Sequence, residues 1–380
     1  MRTPFVLATA ALALAGLTAC SATESGSGGT TGAAAAGDGK IAVAATDTEC
    51  GVAKSELAAG TSTFSITNKG TKVTEFYVYA AGDRIMGEVE NIVPGLTRDL
   101  VIELPAGMYE TACKPGMTGK GIRGALKVSG ESKPLTSDAK LAEAVAGYKR
   151  YIKSQSDTLL AKTREFTEAV KAGDVDKAKE LYPVARTYWE RVEPVAEVFG
   201  DLDPAIDARE NDVADGEEWT GFHRIEKDLW VEKDVKGDGP IADKLMADVT
   251  TIVEKSAALE LSPVQLANGA KGLLDEVATG KITGEENRYS HTDLWDFDAN
   301  LQGSKAAVQA LRPVLEERDP DLVKTLDEKF ADAEAALGAH RRGDGWQLHT
   351  ELSKADLKAL SDAINALAEP ISKVASVVAR

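Results

Sequence analysis

The stretch Val128-Ser129-Gly130-Glu131-Ser132-Lys133-Pro134-Leu135-Thr136-Ser137-Asp138 is where one backbone periodicity stops and another starts. Upstream, from Ile41 to Val128, lie short β-rich runs, several of them alternating: Thr63-Phe64-Ser65-Ile66-Thr67, Glu75-Phe76-Tyr77-Val78-Tyr79 and Asp99-Leu100-Val101-Ile102-Glu103. Asn68-Lys69-Gly70, Ala81-Gly82-Asp83, Pro94-Gly95 and Pro105-Ala106-Gly107 punctuate them as turns. This spacing predicts an antiparallel sandwich of about seven strands over residues 40–130. Downstream of Pro134 the chain is rich in Ala, Leu, Glu and Lys, which predicts an all-α region over residues 137–380, built as two four-helix bundles end to end. Pro183 suits a helix first turn, Gly200 a helix end, and Asp203-Pro204 a cap followed by proline. Ser137-Asp138-Ala139-Lys140 spells the Ser-x-x-Lys catalytic motif, but a serine that opens a helix reads as its cap.

At the amino end, Arg2 precedes an apolar run, Phe5 to Leu17, too short for a membrane span. It reads as a signal peptide ending in the lipobox Leu17-Thr18-Ala19-Cys20, so Cys20 is the expected lipidation site and bilayer anchor over segment 1–20. Residues 21–39, dominated by Ser, Gly, Thr and Ala, form a flexible tether. The expected location is outside the cytoplasm, lipid-anchored and facing the periplasm or the extracellular side. A formal net charge of -17 argues against nucleic acid as partner and favours cations. Once Cys20 is lipidated, Cys50 and Cys113 are the remaining cysteines of an exported chain, and a disulfide between them is expected. A thiolate metal site is the alternative.

The chain has four histidines. His223 and Glu226 stand three apart in Gly221-Phe222-His223-Arg224-Ile225-Glu226, so on a helix both leave the same face and reach one ion. Imidazole plus carboxylate suits Fe, Zn or Mn. A second pair, Glu190 and Glu193, repeats this spacing among aromatic and apolar residues that imply partial burial, where unpaired carboxylates repel unless a cation compensates. Asp207 offers a further oxygen. The competing reading is an acidic face satisfied by Arg186 or Arg191.

The run Glu190-Arg191-Val192-Glu193-Pro194-Val195-Ala196-Glu197, with Asp201-Leu202-Asp203, Ile206-Asp207, Gly-x-His-x-x-Glu and Arg288-Tyr289-Ser290-His291-Thr292-Asp293-Leu294-Trp295-Asp296-Phe297, resembles the imelysin-like family. With a cupredoxin-like domain in front, the architecture resembles the extracytoplasmic components of bacterial iron-uptake systems. The resemblance implies a cupredoxin-like Greek-key β-sandwich followed by a bilobed α-helical bundle whose cleft holds metal. It implies His223, Glu226, Glu190, Glu193 and Asp207 as ligands, and an iron permease in the membrane and a haem peroxidase as partners. His291 lies in a family-like run and reads as either a ligand or a supporting residue. His340 and His349 lie outside these runs and read as surface residues.

Cupredoxins hold copper with two histidines, a cysteine and a weak axial ligand. The β segment has no histidine, which excludes a blue-copper site. A second metal site there would have to use Cys50, Glu75, Glu110 and Cys113, of which Cys50, Glu75 and Cys113 match family positions, with Met108 and Met117 as soft ligands. The expected function is capture of Fe2+ or Fe3+, with Zn2+ or Cu2+ as further metals, and delivery to a permease. A metallopeptidase-like enzyme is one alternative, but Lys227 stands where the inverted zinc-peptidase motif needs a second histidine. A polysaccharide binder using the same cleft is the other.

Overall fold

The computed structural model describes residues 39–200, 202–213 and 216–380, except the side chains of residues 196 and 197. Cys20 and the leader and tether segments lie outside the described residues. No helix among those described is long and apolar enough to cross a membrane.

Nine strands, not about seven, make the sandwich: β1 (Ile41–Ala45), β2 (Cys50–Val52), β3 (Glu56–Ala58), β4 (Gly60–Asn68), β5 (Thr74–Tyr79), β6 (Ile85–Ile92), β7 (Thr97–Leu104), β8 (Gly107–Cys113) and β9 (Ile122–Ser129). One sheet runs β2-β1-β4-β7 and the other β3-β9-β8-β5-β6. The two additional strands, β2 and β3, have three residues each, too few to show an alternation. Pairing is mixed rather than purely antiparallel, since β1 lies parallel to β4 and β3 parallel to β9. The alternation within the longer runs does the expected work: Phe64, Ile66, Leu100, Ile102 and Leu104 point into the core between the sheets. β5 is buried along its whole length, with Phe76 and Val78 in that core and Tyr77 and Tyr79 packed together on the opposite face.

The helical part comprises α1 (Ala139–Ala172), α2 (Val175–Ala196), α3 (Leu202–Asp207), α4 (Phe222–Lys227), α5 (Gly239–Ala258), α6 (Pro263–Thr279), α7 (Asp293–Arg318), α8 (Pro320–Gly338) and α9 (Lys354–Val378), with a small hairpin of β10 (Arg341–Arg342) and β11 (Gly345–Trp346). Helices α1, α2 and α5 pack on one side and α6 to α9 on the other, with α7 against both α1 and α2, so the two groups share one hydrophobic core. The cap of α1 is Asp138, whose carboxylate accepts from the Lys140 and Leu141 amides, rather than Ser137. Pro183 lies inside α2, not in its first turn, because Asp174 caps the Lys177 amide and starts the helix earlier. Asp203 and Pro204 fall within α3 rather than at its cap.

Helix α6 lies across β6 and β7, the exposed edges of the two sheets. Asn268 on α6 donates its amide to the Val101 carbonyl at 2.9 Å, satisfying an edge group that would otherwise face water. A cavity of about 90 Å³ remains beside this contact, with Glu88, Glu90 and Glu276 among its walls.

Candidate metal centre

Spacing places the polar residues of two helices face to face. Tyr182, Arg186, Glu190 and Glu193 recur at intervals of four and three along α2, and Asp293, Asp296, Asn300 and Ser304 do so along α7. Where these stripes meet, the Arg186 guanidinium is fully buried among four carboxylates. Its Nε donates to Asp296 at 2.8 Å, its Nη2 donates to Glu286 at 3.0 Å and to Glu190, and Asp207 accepts from both terminal nitrogens. Lys281, also buried, donates to Glu190 and Glu276 at 2.8 Å each and lies 3.9 Å from Glu193. Burial would pull the Lys281 pKa down, but these carboxylates hold it well above its usual value.

Helix α4 brings in the imidazole. Gly221 precedes it with φ +89°, where a Cβ would collide with the Ile206 carbonyl at the end of α3. This close approach sets His223 beside Asp207. The two faces of the ring then differ. Nδ1 lies 3.0 Å from Glu226 Oε2 and 3.2 Å from the Tyr182 hydroxyl, while the Tyr182 hydroxyl donates to Asn287 Oδ1 at 2.8 Å. Glu226 is held ionised: burial raises its pKa, but His223 and the Ser290 donors outweigh burial and lower it. An ionised carboxylate only accepts, so Nδ1 carries the hydrogen. Nε2 has no hydrogen-bond partner among the described residues, and it faces Asp207 Oδ1 at 3.5 Å and Glu286 Oε1 at 3.4 Å. Burial and Arg186 oppose protonation of His223, yet Asp207, Glu226 and Glu286 raise its pKa to about 9.

Three groups of acidic or imidazole side chains among the described residues converge closely enough to hold an ion. Glu190, Glu286 and Asp296 already surround Arg186, and Glu190, Glu193 and Glu276 already surround Lys281. The third group, Asp207, His223 and Glu286, shares Arg186 through its two carboxylates and adds the His223 Nε2, which makes no hydrogen bond with a described residue. Of the five residues expected as ligands, His223 and Asp207 therefore sit together. Glu190 and Glu193 face built-in cations, as the competing reading held for Arg186. Glu226 lies on the far side of the ring, its Oε1 saturated by the Tyr289 and Ser290 amides and the Ser290 hydroxyl, and it orients the imidazole. Glu286, which sequence reasoning missed, stands in a loop ahead of α7, where no periodicity flags it.

The other histidines stay outside this group. His291 adopts φ +60° just before the α7 cap residue Thr292, and its carbonyl accepts from the His349 amide. His340 is buried rather than at the surface, whereas His349 is half-buried, with its Nε2 3.1 Å from the Ile282 carbonyl. The β10–β11 hairpin between them folds back onto α7.

In the sandwich, Cys50 and Cys113 form a disulfide, so neither is a thiolate. Cys113 pairs with Phe76 on the inner face, whereas Glu110 pairs with Tyr79 and, like Glu75, lies on the outer face. The two-residue period thus separates the carboxylates from the sulfurs, and Cys50, Glu75, Glu110 and Cys113 do not converge. Glu110 instead binds Arg123 at 2.9 Å. Met108 and Met117 are largely exposed, at the start of β8 and in the loop after it.

Glu75 is 5% exposed, and the Tyr77 hydroxyl lies 3.0 Å from it and 2.9 Å from Glu90. One hydroxyl hydrogen cannot serve two ionised carboxylates at once, which favours a proton shared by this pair. Burial, followed by the Glu90 charge, pushes Glu75 up to about 8 against Lys114 and Tyr77. A carboxyl raised in the folded state penalises folding progressively as pH climbs from its usual 4.5 towards 8, and not below that window. Glu75→Gln is therefore expected to stabilise the protein by on the order of 1 kcal/mol at pH 8, because neighbouring acids share the proton, and to be neutral near pH 4.5. Thermal midpoints at the two pH values check this, and an equal gain at both would contradict it.

Residues 144–374 match the imelysin family, and residues 8–128 match the cupredoxin-like domain. The iron uptake system component EfeO of Escherichia coli K12 is 39% identical over 346 residues, covering 89% of this chain and 91% of that protein, and EfeO of Shigella flexneri matches to the same extent. A crystal structure described as an iron-regulated protein A precursor, from Parabacteroides distasonis, shares the fold of 66% of this chain over 97% of its own length, with a TM-score of 0.51 at 16% identity. A β sandwich followed by a helical bundle, joined in this order and matched over nearly the whole chain, places the protein in the EfeO family of iron uptake system components.

Proposed function

We propose that this protein captures iron outside the cytoplasm at Asp207, His223 and Glu286 and hands it to a membrane iron permease, with a haem peroxidase as a further partner and Cys20 as its lipid anchor. The observation that carries this reading is the buried Nε2 of His223, without a hydrogen bond and facing two carboxylates, with Nδ1 held from behind by Glu226; a bound cation would take the place of the proton that these carboxylates favour on the ring. One imidazole and carboxylate oxygens suit Fe(II), Fe(III) and Zn(II), and they disfavour Cu(I), which prefers sulfur. Iron is cargo here. The relatives' name, iron uptake system component, supports a binding role rather than an enzymatic one. Anaerobic calorimetric titration of the mature chain with Fe(II), and separately with chelated Fe(III) and Zn(II), tests the proposal. One saturable iron site per chain is the expected result, and absence of saturable iron binding in either oxidation state overturns it.

A further inference from the structure

Away from the metal centre, α1, the end of α2 and the end of α5 line an open cavity of about 290 Å³. Its deeper wall is apolar, formed by Ile152, Val195 and Leu261. Lys149, Ile152, Lys153 and Ser156 follow one another at helical spacing, so a single face of α1 supplies both apolar and polar lining.

Two features of this lining point to a ligand. Ser156 is 4% exposed, yet its hydroxyl makes no hydrogen bond with any described residue, unlike Thr158 and Thr187, whose hydroxyls donate to carbonyls one turn back. Ser156 lines the cavity, and its hydroxyl is free to donate to an acceptor bound there. The second feature is charge. In a chain of net charge -17, three cations border this cavity. Arg150 is engaged by Glu143 and Lys153 by Asp157, but Lys149 has no ion-pair partner among the described residues. An apolar floor, a free hydroxyl and an unengaged ammonium are complementary to a carboxylate with a hydrocarbon tail.

We infer that this cavity binds a small amphipathic carboxylate, its tail against Ile152, Val195 and Leu261 and its carboxylate accepting from Ser156 Oγ and Lys149 Nζ. At roughly 30 Å³ per non-hydrogen atom, the share a water takes in the liquid, the volume suits about ten such atoms. Octanoate has that size and is the probe. The test is calorimetric titration of the metal-free mature chain with octanoate, with 1-octanol as the uncharged match and acetate as the tailless one. Octanoate is expected to bind at one saturable site, octanol at least ~10-fold more weakly and acetate not at all, since a charged hydrogen-bonded pair is worth about a factor of ten or more. Lys149→Met should reduce octanoate to the level of octanol, and Ser156→Leu, which removes the hydroxyl and narrows the cavity, should weaken octanoate at least ~10-fold while iron affinity stays unchanged. If octanoate does not bind saturably, or binds equally well to both folded variants, the inference fails. It also fails if Ser156→Leu simply raises the thermal midpoint of a parent that binds no octanoate, because the cavity is then a packing defect.

Discussion

Replacing His223 with alanine lowers iron affinity by at least ~100-fold, because loss of groups that merely support a metal ligand already costs about 10 to 100-fold and this change removes the ligand itself. Glu286→Gln has a comparable effect, since it keeps the shape and removes a charge that faces Nε2 at 3.4 Å. Glu226→Gln costs less than either: the imidazole stays but loses the acceptor that holds Nδ1–H. His340→Ala leaves affinity unchanged. This ranking is what distinguishes the Asp207, His223 and Glu286 group from a site drawn around Glu190 and Glu193. Calorimetry on the full mature variants, with thermal midpoints measured with and without iron, separates lost binding from lost folding. Folded His223→Ala and Glu286→Gln proteins that bind iron like the parent would place the site elsewhere.

Arg186→Met has the largest expected effect on stability. It removes the cation shared by Glu190, Asp207, Glu286 and Asp296 and leaves their charges confined in a space with little water. Breaking a buried ion pair by deleting one partner costs about 3–5 kcal/mol. Burial already raises the Asp207 and Asp296 carboxyls against the pull of Arg186, and without the guanidinium they rise further. The deficit is therefore smallest at low pH, where the carboxyls are protonated in both states, and grows as pH rises through the folded values. Adding Asp296→Asn to Arg186→Met recovers part of the loss. Denaturant midpoints at pH 5 and pH 8 check both statements. A variant as stable as the parent at pH 8 would show that Arg186 does not hold the carboxylates together.

The order of architectures was readable because it depends on patterns that recur over many residues. The alternation in β4 and β7 and the long Ala- and Leu-rich helices each place a core without knowledge of the partner element. Short pieces escaped the same reasoning, as β2 and β3 did. At the site, the three-residue spacing of His223 and Glu226 correctly put both on one helix face, but one face can point two carboxylate oxygens at opposite sides of a ring. Which side Glu226 takes depends on the Tyr289 and Ser290 amides, some sixty residues later in the chain. Glu190 illustrates the same limit: its burial was inferable from its neighbours, whereas its pairing with both Arg186 and Lys281 was not. Glu286 gave no signal, since its place beside Arg186 and His223 comes from where a loop crosses α2 and α4.

The seat of α6 on β6 and β7 has a bearing on folding itself. Those two strands would offer unpaired carbonyls and amides to any passing chain, and the helix blocks them while Asn268 takes one carbonyl directly. Synthesis delivers the sandwich first and α6 more than a hundred residues later. Until α6 arrives that margin is open, so the bundle shields, late in synthesis, an edge that the strands before it leave uncovered.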